Sequence, residues 1–159
     1  MVTALFHTIL VPYDFSRHAD RALDTAVRLA RPSKGRVLLL HVVPPLPGLP
    51  AGISRGDVVV NLHRALEAVA DRTAAHRALR VESRVCEGNP VERILEVARE
   101  ADSIVMGTLG RTGIDRILIG SVAERVVRRA TVPMLTVRAS AARKPRARRA
   151  GSRMATRAA

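Results

Sequence analysis

Sulfur and aromatic side chains are scarce in this chain of 159 residues, which has one cysteine, one tyrosine, two phenylalanines and no tryptophan. A single cysteine, Cys86, cannot form an internal disulfide, and a lone cysteine without a basic signal segment before it is typical of a reducing compartment. We therefore expect a cytoplasmic protein in which Cys86 is a small core residue.

Long hydrophobic runs are also missing. The apolar run Val37–Leu40 is far shorter than the roughly 20 residues that a transmembrane helix needs, so no membrane insertion is expected. Three aromatic residues are too few to build the stacking platform that binds unpaired bases. The five histidines are scattered without the spacing of metal ligands, so the sequence predicts no structural metal.

The net charge of +13 is concentrated at one end of the chain. Eight of the 27 Lys and Arg residues lie from Arg138 onward, where there is no acid, so residues 1–137 carry only +5. Residues 139–159 have almost no bulky apolar side chains, which predicts a folded domain over 1–138 and a disordered basic tail over 139–159. That tail is interpreted either as a solubilising extension or as a weak, nonspecific tether to nucleic acid or to an acidic membrane.

Short runs rich in Val, Leu and Ile alternate with amphipathic segments along the domain. The predicted strands are His7–Asp14, with Pro12 ending its apolar run, Arg36–Val43, Leu79–Val85, Asp102–Met106 and Val132–Arg138. The predicted helices are Arg17–Ala30 with Ser16 as N-cap, Asp57–Ala78, Val91–Glu100 and Ser121–Ala130. Such alternation is typical of an α/β domain, a parallel sheet with helices on both faces.

Two segments carry further expectations. In the second predicted helix, the apolar residues at helical spacing are Val58, Leu62, Ala65, Leu66, Val69 and Ala70, and they predict its buried face. The stretch Pro44–Gly52, rich in Pro and Gly, predicts a loop that forms either a pocket rim or a surface connector.

A glycine-rich segment follows the fourth predicted strand and precedes the last helix. Gly107, Gly110, Gly120 and Ser121 form the pattern G-x2-G-x9-G-S. In an open parallel sheet, ligands bind beyond the carboxyl ends of the strands, where glycines allow close approach of phosphate and helix N–H groups attract it. We expect Gly107 and Gly110 to turn around sugar and phosphates, with donors from Gly120, Ser121 and Val122.

The segment differs from a Walker A loop because it lacks the Gly-Lys-Ser/Thr triplet. Arg111 and Arg116 could supply the positive charge that this lysine would otherwise bring.

Several stretches together resemble the universal stress protein family: ILVPYDFS, LLLHVV, EGNPVERILEVA and DSIVMGTLGRTGIDRILIGSVAERVVRRATVPMLTVR, over residues 5–138. The resemblance implies a flavodoxin-like, Rossmann-like three-layer sandwich with five parallel strands in the order 3-2-1-4-5. It also implies ATP binding, since the family motif G-x2-G-x9-G-(S/T) is matched at every defined position. Finally, it implies a homodimer that pairs through the last strand, Val132–Arg138.

The resemblance also implies which residues contact the nucleotide. On the adenosine side these are Pro12, Tyr13, Asp14 and Val42, the last through its backbone. On the ribose and phosphate side they are Met106, Gly107, Gly110, Arg111, Gly120, Ser121 and Val122. One position departs from the pattern, because Leu109 stands where many members have histidine or arginine.

Side chains suited to catalysis are few. Ser121 has no neighbouring histidine in sequence and lies in no G-x-S-x-G elbow. Asp14 is the one candidate for holding Mg²⁺ or orienting water, and the alternative is that it caps the first helix. His41 is expected to be a hydrogen-bonded core residue. The function that follows is an ATP-binding, dimeric stress-response module with a regulatory role. The alternatives are a nucleic-acid-associated dimer tethered by its tail, or a slow Mg-dependent ATP hydrolase.

Overall fold

The computed structural model describes residues 6–45, 52–108 and 120–138. Within these ranges five strands form one sheet: β1 Thr8–Pro12, β2 Arg36–Val43, β3 Arg80–Glu87, β4 Ser103–Gly107 and β5 Met134–Val137. Their order is β3-β2-β1-β4-β5, and every pairing is parallel. The predicted fold class and strand order are confirmed.

In the described part of the chain, four helices cover the two faces of the sheet: α1 Arg17–Ala30, α2 Arg55–Arg77, α3 Pro90–Val97 and α4 Ser121–Arg129. One core cluster joins α1 and α2 to Ile9 and Val11 of β1, and the other joins α3 and α4 to Leu10. Successive β1 side chains thus enter opposite cores, which is why the strand is apolar throughout.

Side-chain caps fix where the helices begin. The Ser16 hydroxyl accepts the Ala19 N–H at 3.2 Å, and the Asn89 side chain accepts the Val91 N–H at 3.0 Å. Helix α1 and strand β2 have the predicted bounds. Helix α2 begins two residues earlier than predicted because Ser54 caps it, accepting the Asp57 N–H at 3.3 Å.

Other element ends differ from prediction by a few residues. Strand β1 stops at Pro12, so Tyr13 and Asp14 lie in the loop after it. Helix α3 ends at Val97 and passes into a 3₁₀ turn over Ala98–Glu100, and β5 starts at Met134 rather than Val132.

The predicted buried face of α2 is only partly correct. Leu66 and Ala70 are buried, but Ala65 is exposed. Helix α2 packs mainly on β3, the edge strand, and an edge strand covers less of a helix than a central one does. Cys86 lies on that same edge strand, where it is a free, half-buried thiol packed against the second core.

No helix in the described ranges is long and apolar enough to cross a membrane. The predicted basic tail, 139–159, lies outside the residues that the structure describes.

Candidate functional site

A cavity of about 500 Å³ opens at the carboxyl ends of β1, β2 and β4. Here the chain, having moved from β1 outward to β3, returns to add β4 on the opposite side of β1, which is the switch in strand order where open sheets bind ligands. The cavity brings together nine of the predicted site residues: Pro12, Tyr13, Asp14, Val42, Met106, Gly107, Gly120, Ser121 and Val122. Its volume suits a small-molecule ligand.

The amino end of α4 forms one wall of this cavity. Gly120 is the N-cap, and its N–H donates to the Thr108 carbonyl at 2.6 Å. In the described residues, the N–H groups of Ser121, Val122 and Ala123 have no partner, as the first turn of a helix leaves them. These groups and the helix dipole make an anion-binding position. The unpaired N–H groups at this helix start are therefore those of Ser121, Val122 and Ala123, whereas the N–H of Gly120, which was predicted as a donor, is already used within the described residues.

Thr108 links the end of β4 to that helix start. Its N–H donates to the Val137 carbonyl at 2.9 Å, and its own carbonyl accepts from Gly120. The Thr108 side chain is buried, and its hydroxyl has no partner within the described part of the chain. Burying an unpaired hydroxyl costs free energy, so Thr108 marks a polar position at the cavity that the glycine pattern did not reveal.

Gly107 is needed for the packing of α1 against β4 as well as for the loop that follows β4. A Cβ atom added there would lie 2.8 Å from the Cβ of His18 and 2.9 Å from its carbonyl carbon. The absence of a side chain at Gly107 thus lets the start of α1 pack closely against the end of β4. The predicted importance of this glycine has a physical reason that the spacing alone did not supply.

Asp14 is the only Asp or Glu among the described residues that line the cavity. One of its carboxylate oxygens accepts the Ser16 N–H at 3.1 Å, which fixes it at the start of the loop after β1. Ser16, not Asp14, caps α1. Asp14 therefore places the one carboxylate of the described lining at the wall of the cavity.

Tyr13 and His41 form the buried floor beside Asp14. The Tyr13 hydroxyl donates to Asp20, and burial followed by that hydrogen bond raises the pKa of Tyr13 far above its ordinary value. The Tyr13 side chain therefore remains a neutral donor. Nδ1 of His41 lies 2.7 Å from the Tyr13 carbonyl oxygen, which confirms His41 as a hydrogen-bonded, buried residue.

Two predicted phosphate contacts, Gly110 and Arg111, lie outside the described residues, as do Leu109 and Arg116. In the described ranges, no group of three or more His, Cys, Asp or Glu side chains could hold a metal ion.

The chain is similar to known proteins both in sequence and in fold. The model of the universal stress protein family matches residues 5–138. The chain is 36% identical to universal stress protein MJ0531 of Methanocaldococcus jannaschii, with 84% of the chain and 83% of that protein covered. It is 35% identical to a universal stress protein of Thermus aquaticus, with 84% of the chain and all of the relative covered. A solved universal stress protein in complex with cAMP superposes with a TM-score of 0.64 and 29% identity, over 82% and 96% of the two chains.

Proposed function

Since the chain belongs to the universal stress protein family, we propose that its cavity binds an adenine nucleotide, with ATP as the ligand. The observation that carries the proposal is the start of α4, where three unclaimed N–H groups face a cavity at the switch in strand order. Such a helix start binds phosphate through its N–H groups and its dipole.

The two ends of the cavity suit the two ends of a nucleotide. The α4 end supplies donors for phosphate, while the β1 and β2 end supplies an apolar wall with Asp14 as acceptor. A carboxylate in this position would accept hydrogen bonds from ribose hydroxyls. The similar structure solved with cAMP supports an adenine nucleotide as the ligand class.

We propose that the site holds the nucleotide for a regulatory purpose in the stress response rather than consuming it rapidly. Among the described lining residues only Asp14 has a carboxylate that could hold Mg²⁺ or orient water. A general base needs to lie within hydrogen-bond reach of the water that it activates, and the described lining offers Asp14 and His41 for that role. His41 uses Nδ1 on a backbone carbonyl, which leaves only Nε2 of that ring as a possible base.

The direct test is to denature the purified protein and identify any released nucleotide by mass. Stripped protein should then bind ATP, and at a free concentration of 100 times Kd the ligand should raise the free energy of unfolding by about 2.7 kcal/mol. A matching rise with inorganic triphosphate alone would show that the anion position binds without a nucleoside. If neither ligand changes the unfolding transition, the proposed function is wrong.

We also propose that two copies pair through β5. This strand bonds only to β4 among the described strands, and none of its four residues is charged. The other edge strand, β3, contains Arg80, Glu82, Arg84 and Glu87. Charged side chains discourage strand pairing, whereas an uncharged edge permits it, so β5 is the edge suited to a second copy.

Leu135→Arg should convert a dimer into a monomer, because it places a charge on the β5 edge where Leu135 is 43% exposed. Sedimentation at about 10 μM should show a dimer for the wild type and a monomer for the variant. The matched control is Val60→Arg on α2, where the original side chain is similarly exposed at 48%. Dimers in all three proteins, or a monomeric wild type, would refute pairing through β5.

A further inference from the structure

A second concave surface lies between helices α1 and α2. This groove has a volume of about 630 Å³, and among the described residues it shares no lining residue with the cavity at the carboxyl ends of the strands. Its lining comes from one side of α1, from the residue that follows α1 and from the last turns of α2: Asp20, Leu23, Asp24, Val27, Arg31, Arg72, Thr73, His76 and Arg77.

The groove is elongated because it follows the axis of α1. Its α1 residues recur at spacings of three and four, which places them on one side of the helix. From Asp20 to Arg31 this side extends about 16 Å, at about 1.5 Å per residue. The two apolar lining residues, Leu23 and Val27, are only 6% and 1% exposed, so little apolar surface is open to a ligand. The groove therefore suits an extended, polar ligand.

Positive charge predominates along the groove. The carboxylate of Asp24 is compensated twice, by Arg28 and by Arg77, whose Nη2 lies 2.9 Å from one of its oxygens. In the described residues, the side chains of Arg31 and Arg72 form no ion pair and no hydrogen bond, although both line the groove. Two guanidinium groups are thus available to an anion.

Asp20 is the one carboxylate of the described lining that forms no ion pair, and its charge opposes an anion. It accepts the hydrogen bond of the Tyr13 hydroxyl. Burial raises the pKa of Tyr13, with Asp20 adding to this effect, while the positive charge of Arg72 acts in the opposite direction. Arg72 therefore lies at the same end of the groove as Asp20, where removal of the Asp20 charge should strengthen anion binding.

The geometry of arginine and the helical walls together indicate the class of anion. A guanidinium group donates two parallel hydrogen bonds to a phosphate or a carboxylate group. Within a helix the backbone N–H and C=O groups bond to one another, so the walls leave few partners for the backbone of an extended peptide. A chain of phosphate groups has no such requirement, because its oxygens need only cations and donors.

We propose that the groove between α1 and α2 binds a short linear oligophosphate, with Arg31 and Arg72 as its main contacts. The ligand is either inorganic oligophosphate or the phosphate chain of a nucleotide, since both present the same oxygens to arginine. The inference does not depend on the proposed nucleotide site, because neither arginine lines the cavity. The two sites can therefore be tested separately.

The test is calorimetric titration of inorganic triphosphate into the full chain at about 0.15 M salt, where weak surface attraction is screened. For Arg31→Gln/Arg72→Gln, affinity at the groove should fall at least tenfold, because charge-assisted hydrogen bonds are lost. Binding that persists in this variant is assigned to the start of α4, which the substitutions leave intact. ATP should bind the cavity of both proteins equally, and a second ATP site that only the wild type shows would identify the phosphate chain of a nucleotide as a ligand of the groove.

Arg21→Gln/Arg64→Gln is the matched control, because it removes the same charge from the same region of the chain. Both arginines are exposed, one on α1 and one on α2, and they line neither the groove nor the cavity. This control should bind inorganic triphosphate as the wild type does. Equal affinity of the two double variants would overturn the groove site, because the anion would then respond only to net charge or not at all.

Asp20→Asn gives a second measurement with the opposite sign. The amide oxygen of asparagine can still accept the Tyr13 hydroxyl, while the negative charge beside the groove is removed. Inorganic triphosphate should bind this variant about two- to fivefold more tightly, a gain that damage to the fold would not produce. Unchanged or weaker binding would contradict the groove site. Binding of hexaglutamate to the wild type as tightly as inorganic triphosphate would overturn the phosphate class of the ligand.

Discussion

Gly35→Ala is expected to lower the free energy of unfolding by about 3 kcal/mol, the upper end of the usual cost of overpacking. A Cβ atom at this position would lie 2.4 Å from the His7 carbonyl oxygen and 2.7 Å from that of Phe6. Both contacts are with backbone atoms, which cannot move aside as the end of a flexible side chain can. The clash must therefore be relieved by displacing strand β1 or β2.

The surrounding hydrogen bonds oppose that displacement. Gly35 donates its N–H to the Ala30 carbonyl at 3.0 Å, and the next residue, Arg36, donates to the His7 carbonyl at 2.6 Å. Arg36 also starts the register between β2 and β1, opposite Thr8. A shift at Gly35 thus weakens the pairing of the two central strands that carry the cavity.

Urea unfolding of the two proteins would measure the effect as a lower midpoint with an unchanged slope. The control is Gly56→Ala near the start of α2, where an added Cβ meets only the Ser54 hydroxyl oxygen at 3.3 Å. Alanine in a helix is favoured over glycine by about 0.5–1 kcal/mol, so this variant should be as stable as the wild type or slightly more stable. Similar midpoints for both variants would show that β1 and β2 can separate at low cost.

Local signals determined what could be predicted about the fold. The bounds of α1 followed from Ser16 as its cap and from apolar residues at helical spacing, and those of β2 followed from one apolar run. Both signals lie within the segment itself. The buried face of α2 was predicted less well, since burial there depends on its position over the edge strand β3.

Tertiary contacts determined what could not be predicted. Gly35 has no role that its neighbours in sequence reveal, because its φ is not positive and its constraint comes from His7 and Phe6, which are 28 and 29 positions away. Thr108 occupies a variable position of the glycine pattern, and its buried, unpaired hydroxyl is visible only once β4, β5 and α4 are assembled. For His41 the sequence indicated a buried hydrogen bond, but not that its partner is the Tyr13 carbonyl.

The glycine pattern includes one feature that could be predicted from the sequence and one that could not. Four of the residues that it predicted line one cavity, because strand ends and helix starts in a parallel sheet meet at one edge: Gly107, Gly120, Ser121 and Val122. It did not show that Gly107 is required for the contact with His18 on α1, which is a packing constraint between elements. The pattern therefore predicted the place of the site better than the task of each glycine.

Gly120→Val is expected to weaken ATP binding at least 100-fold, about 2.7 kcal/mol, while leaving the fold intact. Gly120 has a φ of −69° and a ψ of 155°, an extended conformation that valine also adopts, so the backbone does not require glycine here. The added branched side chain would instead fill the space before the unclaimed N–H groups of Ser121, Val122 and Ala123. Phosphate would lose charge-assisted hydrogen bonds worth about 1.5–3 kcal/mol each.

Calorimetric titration of stripped Gly120→Ala and Gly120→Val, alongside urea unfolding of both, separates this steric effect from a loss of stability. The smaller alanine should give an intermediate loss of affinity, and both variants should unfold within about 1 kcal/mol of the wild type. Ser121→Ala separates the contribution of the side chain from that of the backbone, because it removes the hydroxyl but keeps all three N–H groups. Its affinity for ATP should fall at most about tenfold. Wild-type affinity in the valine variant would mean that phosphate does not lie at the start of α4. If the affinity for ATP falls only in proportion to the free energy of unfolding, Gly120 is a structural residue instead.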